Sequence, residues 1–284
     1  MLHTERRPRV SIVIPCYNHG QYIDETIQSI EQIGDANLYE IIIVNDGSTD
    51  EFTNRRLEEL AATGLYKIVK QENGGVAKAR NHGFSLVRGE YILPVDSDNK
   101  ITPAYVYRSM EILDKNPDIA VVYSDSSLMG METGVRVAGE FNLQRLMLAN
   151  FIDNCAVFRK SMMDDIGPHD TYHTINGIED WEFWMRAAFK GYKFHYINEP
   201  LYEYRVLPNS GAARLNASKL KGNSNMDYFR QKHPYYFGPQ YVDDYFIHKF
   251  KTSPIGFMGK LILKMYFPKK FQKLVEKGKL RKYI

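Results

Sequence analysis

Cysteine is scarce in this chain of 284 residues: Cys16 and Cys155 are the only two. Their wide separation fits neither a thiolate metal cage nor a disulfide framework, and it suits a reducing compartment. Long apolar runs are also missing. No stretch approaches the roughly 20 residues needed to span a bilayer. Met1–Arg9 is polar and basic with no apolar segment behind it, so neither a signal peptide nor a membrane span is expected and a cytoplasmic location is. The chain has no internal repeat and no low-complexity segment. It also lacks a glycine-rich phosphate fingerprint: Pro15-Cys-Tyr-Asn18 follows the first apolar run, and Asn73-Gly-Gly75 is too short for a dinucleotide or P-loop signature.

With 44% hydrophobic and 25% charged residues, the chain has the composition of a folded protein with one sizeable core. The net charge of +3 is unevenly distributed. From Lys260 to Ile284 nine basic residues face one acid, a local charge of +8 that leaves −5 for the rest. A mildly acidic body without an aromatic-basic recognition motif speaks against nucleic acid. The basic, partly apolar tail points to a surface partner of its own.

The apolar pattern alternates between two periods. Val10–Ile14, Glu40–Val44, Tyr66–Lys70 and Glu90–Val95 are short continuous runs of the kind buried on both faces of a sheet. Pro15 is expected to end the first. Between them Tyr22–Ile33, a segment through Leu57 and Leu60, and Ala79–Val87 carry helical spacing. Strand–helix alternation implies right-handed parallel crossovers, with ligands at the carboxyl ends of the strands. Pro15–Tyr17, Asp46, Asn73–Gly75 and Asp96–Asp98 all fall just past such ends. Beyond Pro103 the expected elements are a helix to about Lys115, strands at Ile119–Tyr123, Cys155–Phe158 and Lys193–Ile197, and a helix entered at Gly177–Arg186. Tyr202–Arg205 is expected along a sheet edge, and Ser124–Asn154 has no readable pattern.

Asp96-Ser97-Asp98 sets two carboxylates on one extended segment or tight turn. Hard divalent cations take oxygen ligands, and Mg²⁺ typically uses one or two carboxylates plus phosphate oxygens. An isolated match is more simply an Asx turn capping the next helix, but its place on a rim shared with three other segments favours the metal. Asp46, an acceptor-only group at a strand end, suits a ribose hydroxyl or a base N–H. Asp50 is the better helix cap. Tyr17 either packs on the sheet or stacks on a base. Arg80 either neutralises phosphate or pairs with a carboxylate of the site.

Val10–Asn18, Ile43–Asp50, Asn73–Asn81, Gly89–Asp98 and Glu179–Arg186, in that order, resemble the motifs of family 2 glycosyltransferases with the GT-A fold. The resemblance covers about Pro8 to Arg205. It implies a Rossmann-like, mostly parallel α/β sheet sandwiched by helices, and transfer of a sugar from a nucleoside-diphosphate donor, UDP in the first instance, with inversion at the anomeric carbon. By position, Pro15, Tyr17 and Asp46 meet base and ribose, and Asn73, Gly75, Arg80 and Ser97 lie along the donor. Asp96 and Asp98 serve the donor sugar, diphosphate and a Mg²⁺ or Mn²⁺ ion. Where the family often has a further acid, this chain has Asn99. Asp180, with Glu179 as second choice, matches the acid pair that supplies the catalytic base. Both also suit the positive end of a helix as ordinary first-turn acids. Trp181 and Trp184 have core spacing, yet Trp181, beside the base, is assigned with Arg205 to the acceptor side. His169, His173 and His195 are read as structural.

The expected division is a catalytic domain over 1–210, donor half to about 100 and acceptor half after it, then a helical basic extension over 211–284. That extension either packs on the body or a second copy, making a homo-oligomer, or docks on an anionic membrane surface. Membrane docking fits a lipid-linked or cell-surface glycan acceptor and a peripheral position on the inner face. Two other functions compete. A sugar-phosphate nucleotidyltransferase needs a glycine-rich loop where Pro15–Asn18 stands, and an inactive glycan-binding scaffold has no use for Asp46, Asp96, Asp98 and the Glu179-Asp180 pair together.

Overall fold

The computed structural model describes residues 7–171, 177–208 and 224–276. It divides into two compact units, Met1–Gly222 and Asn223–Ile284; the expected boundary at 210/211 lies outside the described residues.

In the first unit strand and helix alternate through β1 (Val10–Cys16), α1 (Gly20–Glu31), β2 (Tyr39–Asn45), α2 (Glu51–Ala62), β3 (Lys67–Lys70), α3 (Val76–Phe84) and β4 (Tyr91–Pro94). There follow β5 (Lys100–Ile101), α4 (Pro103–Lys115), β6 (Ile119–Gly130), β7 (Gly134–Arg136), α5 (Leu143–Leu148), β8 (Val157–Arg159), α6 (Lys160–Ile166), α7 (Glu179–Phe189) and β9 (Lys193–Val206). One sheet joins the strands in the order β3-β2-β1-β4-β8-β6-β9-β5, with β7 paired to β6. The β3-β2-β1-β4 block is wholly parallel, as the alternation predicts. Beyond it β8 runs antiparallel to both neighbours, while β6 and β9 run parallel. A parallel block continued by a mixed edge is a mostly parallel α/β sheet of the kind that the resemblance to the GT-A fold implies.

Local sequence explains the central strands. Every residue of β1 is buried, as expected of a strand covered by helices on both faces. The strand continues past Pro15 to Cys16. Pairing with β4 stops at Val13, so Pro15 sits where one side of β1 has become an edge, a position that tolerates a missing N–H. Gly83 lets α3 lie directly on this strand, since a Cβ there would come 2.3 Å from Val13 Cγ1. Asp50 caps α2, accepting from Thr53 N at 2.8 Å.

The part of the first unit after β5 departs most from expectation. The strand expected to stop at Tyr123 continues to Gly130, and Lys193–Val206 is one strand beside it, not two pieces. The reason is a buried polar run. Ser124, Asp125 and Ser126 break the apolar signal yet lie inside the fold. Asp125 Oδ1 accepts from Ala138 N and from Tyr196 OH, both at 2.7 Å, which satisfies the carboxylate there. Register shifts on either side of Asp125 bend this ladder.

The second unit contains, among the described residues, four helices: α8 (Ser224–Lys232), α9 (Pro239–Thr252), α10 (Pro254–Tyr266) and α11 (Pro268–Glu276). Ile255, Met258, Ile262 and Met265 recur at helical spacing on α10 and are exposed within this unit. No helix among the described residues is long and apolar enough to cross a membrane. Lys277, Lys279, Arg281 and Lys282 of the basic tail lie outside the described residues.

Candidate active site

The carboxyl ends of β1, β2 and β4 open on one rim. Here Asn18 adopts φ +53°, a left-handed conformation that asparagine tolerates. Its Oδ1 accepts from the backbone N–H of Thr49 and Asp50, and Nδ2 donates to Thr49 Oγ1, tying the β1 end to the loop after β2. Tyr17 next to it is exposed, and Pro15 is buried in the strand. Asp46 is buried and accepts three hydrogen bonds: Oδ1 from Gly74 N and Gln71 Nε2, Oδ2 from Gly75 N. Asn73 Nδ2 donates to the Asp46 carbonyl at 2.9 Å. Asp46 therefore holds the Asn73–Gly75 turn in place, and Gly75, at φ +86°, opens α3.

Arg80, on α3, is the centre of the site and is 4% exposed. Its Nη2 donates to Asp96 Oδ1 and its Nη1 to Glu179 Oε1, each at 2.6 Å. Burial works against its charge, but Asp96 and then Glu179 keep it firmly protonated. One guanidinium thus joins the Asp96-Ser97-Asp98 turn to the first turn of α7. Of the two readings open for Arg80, pairing with carboxylates is the one observed. Ser97 is buried: its Oγ lies 3.2 Å from His19 Nδ1 and its carbonyl accepts from Thr26 Oγ1. Asp98 is pushed up to about 7, by burial first and then by the charge of Asp96. Arg205 braces this turn. Its Nε donates to the Asp98 carbonyl, its N–H to Asn99 Oδ1, and its Nη2 to Glu25.

The two acids of α7 differ. Glu179 is 4% exposed and fully engaged, Oε1 by Arg80 and Oε2 by Gly177 N. Asp180 is half-buried and lines a cavity of ≈260 Å³. Its carboxylate accepts from Asn150 Nδ2 at 2.9 Å and from Trp181 N at 2.7 Å. Burial, then the neighbouring charges of Glu179 and Asp153, raise its pKa well above the usual carboxylate range. A raised carboxylate at the wall of a cavity has the form expected of a proton acceptor.

The family model for glycosyl transferase family 2 matches residues 11–167, more than half of the chain. The protein belongs to glycosyl transferase family 2. A second model, glycosyl transferase family group 2, matches residues 91–272. The chain is 27% identical over 254 residues to the putative glycosyltransferase EpsH of Bacillus subtilis, covering 79% of this chain and 73% of EpsH. It spans about a quarter of two longer relatives. The uncharacterized protein y4gI of Sinorhizobium fredii is 27% identical over 219 residues, 74% of this chain and 24% of that one. The chondroitin synthase of Pasteurella multocida is 27% identical over 228 residues, 78% of this chain and 23% of that one. Two solved structures share the fold. S. aureus TarS 1-349 in complex with UDP-GlcNAc has a TM-score of 0.60 at 21% identity, over 72% of this chain and 60% of that one. The mannosyltransferase PcManGT of Pyrobaculum calidifontis, in complex with GDP-Man and Mn²⁺, has a TM-score of 0.57 at 16% identity, over 95% and 84%.

A family 2 donor site calls for a test of metal fit. No three His, Cys, Asp or Glu side chains gather to hold an ion among the described residues. Asp96 and Asp98 fit a smaller task. Asp96 Oδ2 is not used by Arg80, and Asp98 sits where negative charge is poorly compensated. Two carboxylates completed by diphosphate and water are a normal Mg²⁺ set.

Trp181 is buried, and its indole N–H donates to the Leu146 carbonyl at 2.6 Å, so it packs α7 against α5. Arg205 contacts the Asp98–Asn99 turn, Glu25 and the Tyr22 ring, on the donor rim and not beside Asp180. His169 is buried against Phe84 and Phe183, His195 lies in β9, and His173 falls outside the described residues. The sequence reading missed Asn18, Asn150, Arg136, Arg145 and Asp153. Asn18 carried a signal as part of the first motif; the other four lie in segments without periodicity.

Proposed function

We propose that the protein is an inverting, metal-dependent glycosyltransferase that moves a sugar from a nucleoside-diphosphate donor to a hydroxyl of a glycan or lipid-linked acceptor, in cell-surface polysaccharide or glycoconjugate synthesis. The observation that carries this reading is the Arg80 bridge. It holds Asp96 and Glu179 on one guanidinium and so sets the donor rim next to Asp180. The donor base lies against Tyr17 and the Asp46 loop, and UDP is the first candidate. The TarS and PcManGT structures, with UDP-GlcNAc and GDP-Man, are consistent with a donor of this class.

Asp180 takes the proton of the acceptor hydroxyl as its oxygen attacks the anomeric carbon, and the bond to the diphosphate breaks on the opposite face. Glu179 is engaged on both oxygens, which favours Asp180 for this role. Asp98 and Asp96 would hold Mg²⁺ or Mn²⁺, which would supply Lewis-acid stabilisation of the departing diphosphate; chelation should abolish transfer and either ion should restore it. The test of the base is Asp180→Asn. Isothermal titration should give a nucleotide-sugar affinity within about twofold of the parent, while turnover falls by about 10²–10⁴. Turnover close to the parent value sinks the assignment.

The second unit docks on anionic lipid from the cytoplasmic side. The support is the exposed stripe Ile255–Met258–Ile262–Met265 beside Lys260 and Lys264. Cosedimentation with phosphatidylserine vesicles should be lost when Lys260–Ile284 is deleted; equal binding by both proteins refutes the docking.

A further inference from the structure

The cavity that Asp180 lines is walled mainly by residues with no part in donor binding, among them Arg136, Arg145, Asn150, Phe151 and Asp153. At ≈260 Å³ it has the scale of a single sugar ring. Its two cations differ in one respect. Arg136 is neutralised: Nη2 pairs with Asp153 Oδ2 at 2.8 Å, and the guanidinium lies 4.2 Å over the Tyr204 ring. Arg145 has no carboxylate partner among the described residues. Its guanidinium lies 3.9 Å over the Phe151 ring, and Nη1 donates to the Ala138 carbonyl at 2.5 Å. Nε and Nη2 have no hydrogen bond to any described residue. A planar cation fixed by an aromatic face and one carbonyl, with two donors left over, is preorganised for an oxyanion.

We propose that this cavity is the acceptor subsite and that Arg145 selects acceptors bearing an anionic group, a carboxylate or a phosphate, on the sugar that presents its hydroxyl to Asp180. The proposal rests on Asp180 being the base, which makes whatever fills the cavity the acceptor. Phe151 fixes the orientation of Arg145, and Asn150 orients Asp180 at the same wall. The Arg136–Asp153 pair adds shape and hydrogen bonding but no net charge. Discrimination against a neutral sugar then falls to Arg145, whose unneutralised charge is wasted on an acceptor without an anion.

The test is titration of the full chain with methyl β-D-glucuronide, glucose 6-phosphate and methyl β-D-glucoside. At least one of the two anionic sugars should bind about tenfold or more tightly than the glucoside, and whichever anion binds better names the source. Arg145→Gln should abolish the preference, and Arg145→Lys should keep part of it because the charge survives. UDP-GlcNAc and GDP-mannose titrated into the parent and Arg145→Gln proteins give a separate readout of the donor site and of an intact fold. Equal affinity for neutral and anionic sugars overturns the proposal, as does a preference that survives in Arg145→Gln. Failure of the parent to bind any nucleotide-sugar strikes the glycosyltransferase reading instead, and leaves the anion preference to be judged on its own titration.

Discussion

The residues at the ends of β1, β2 and β4 are placed by one parallel block, whereas those walling the cavity beside Asp180 come from a short strand, a short helix and the run that follows it. Pro15, Asp46 and Asp96 lie at or just past the ends of β1, β2 and β4, whose parallel register fixes their backbones. Arg136, Arg145, Asn150 and Asp153 come instead from β7, α5 and the run before β8. Loops accept substitution more readily than the strands they join. Asn150 and Asp153, on the run before β8, are therefore freer to vary than the strand-end residues, while Arg136 and Arg145 are held by β7 and α5. Arg80 belongs to the first half and reaches into the second.

Cutting that joint should have the largest effect. Arg80→Met leaves Glu179 buried without its cation, and removing one partner of a buried pair costs about 3–5 kcal/mol. The melting temperature should fall by about 6–20 °C and transfer should be lost. A loss of less than about 1 kcal/mol in denaturant titration would mean that the halves are not coupled through Arg80. A smaller effect is expected from a change confined to the donor frame. Asp46→Ala orphans the N–H groups of Gly74 and Gly75 and should cost about 1–3 kcal/mol. It should weaken nucleotide-sugar binding while leaving any preference for anionic sugars unchanged. Parent-like donor affinity by calorimetry would show that the turn does not need its pin.

The smallest change lies in the acceptor wall. Burial, and after it Glu179 and Asp153, raise Asp180, so the ionised form of this proposed base is lost as pH falls through that raised value. The pH profile of kcat should therefore show an acid limb above the ordinary carboxylate range. Asn150 donates to the charged form and pulls the other way. Asn150→Ala should move the limb to higher pH by about half a unit, the equivalent of one modest hydrogen bond. A limb that stays put, or moves down, would separate Asn150 from the base.

The donor half was legible because its strands are continuous apolar runs and its chemistry sits at their ends. Val10–Cys16 and Tyr39–Asn45 lie within two residues of where their pattern places them. What periodicity cannot give is the pairing between distant segments. Nothing along the chain ties Arg80 to Glu179, 99 residues away. The acceptor half was obscured by Ser124–Ser126, a polar stretch that ends an apolar signal while the strand itself runs on. Arg145 was invisible for a related reason: that it has no carboxylate partner among the described residues follows from the fold and not from any pattern along the chain. Trp181 has core spacing and is packed as that spacing predicts, with its indole N–H on the Leu146 carbonyl.

Asp46 has a bearing on how such a protein can diverge. A residue that touches only a ligand is free to drift when the ligand changes. Asp46 also fastens the neighbouring turn through Gly74, Gly75 and Gln71, so no single substitution there is silent for the turn. On the proposed reading, in which the donor base lies against Tyr17 and the Asp46 loop, a lineage or an engineer seeking a new nucleobase preference should find the open path at the exposed Tyr17 and should find Asp46 closed.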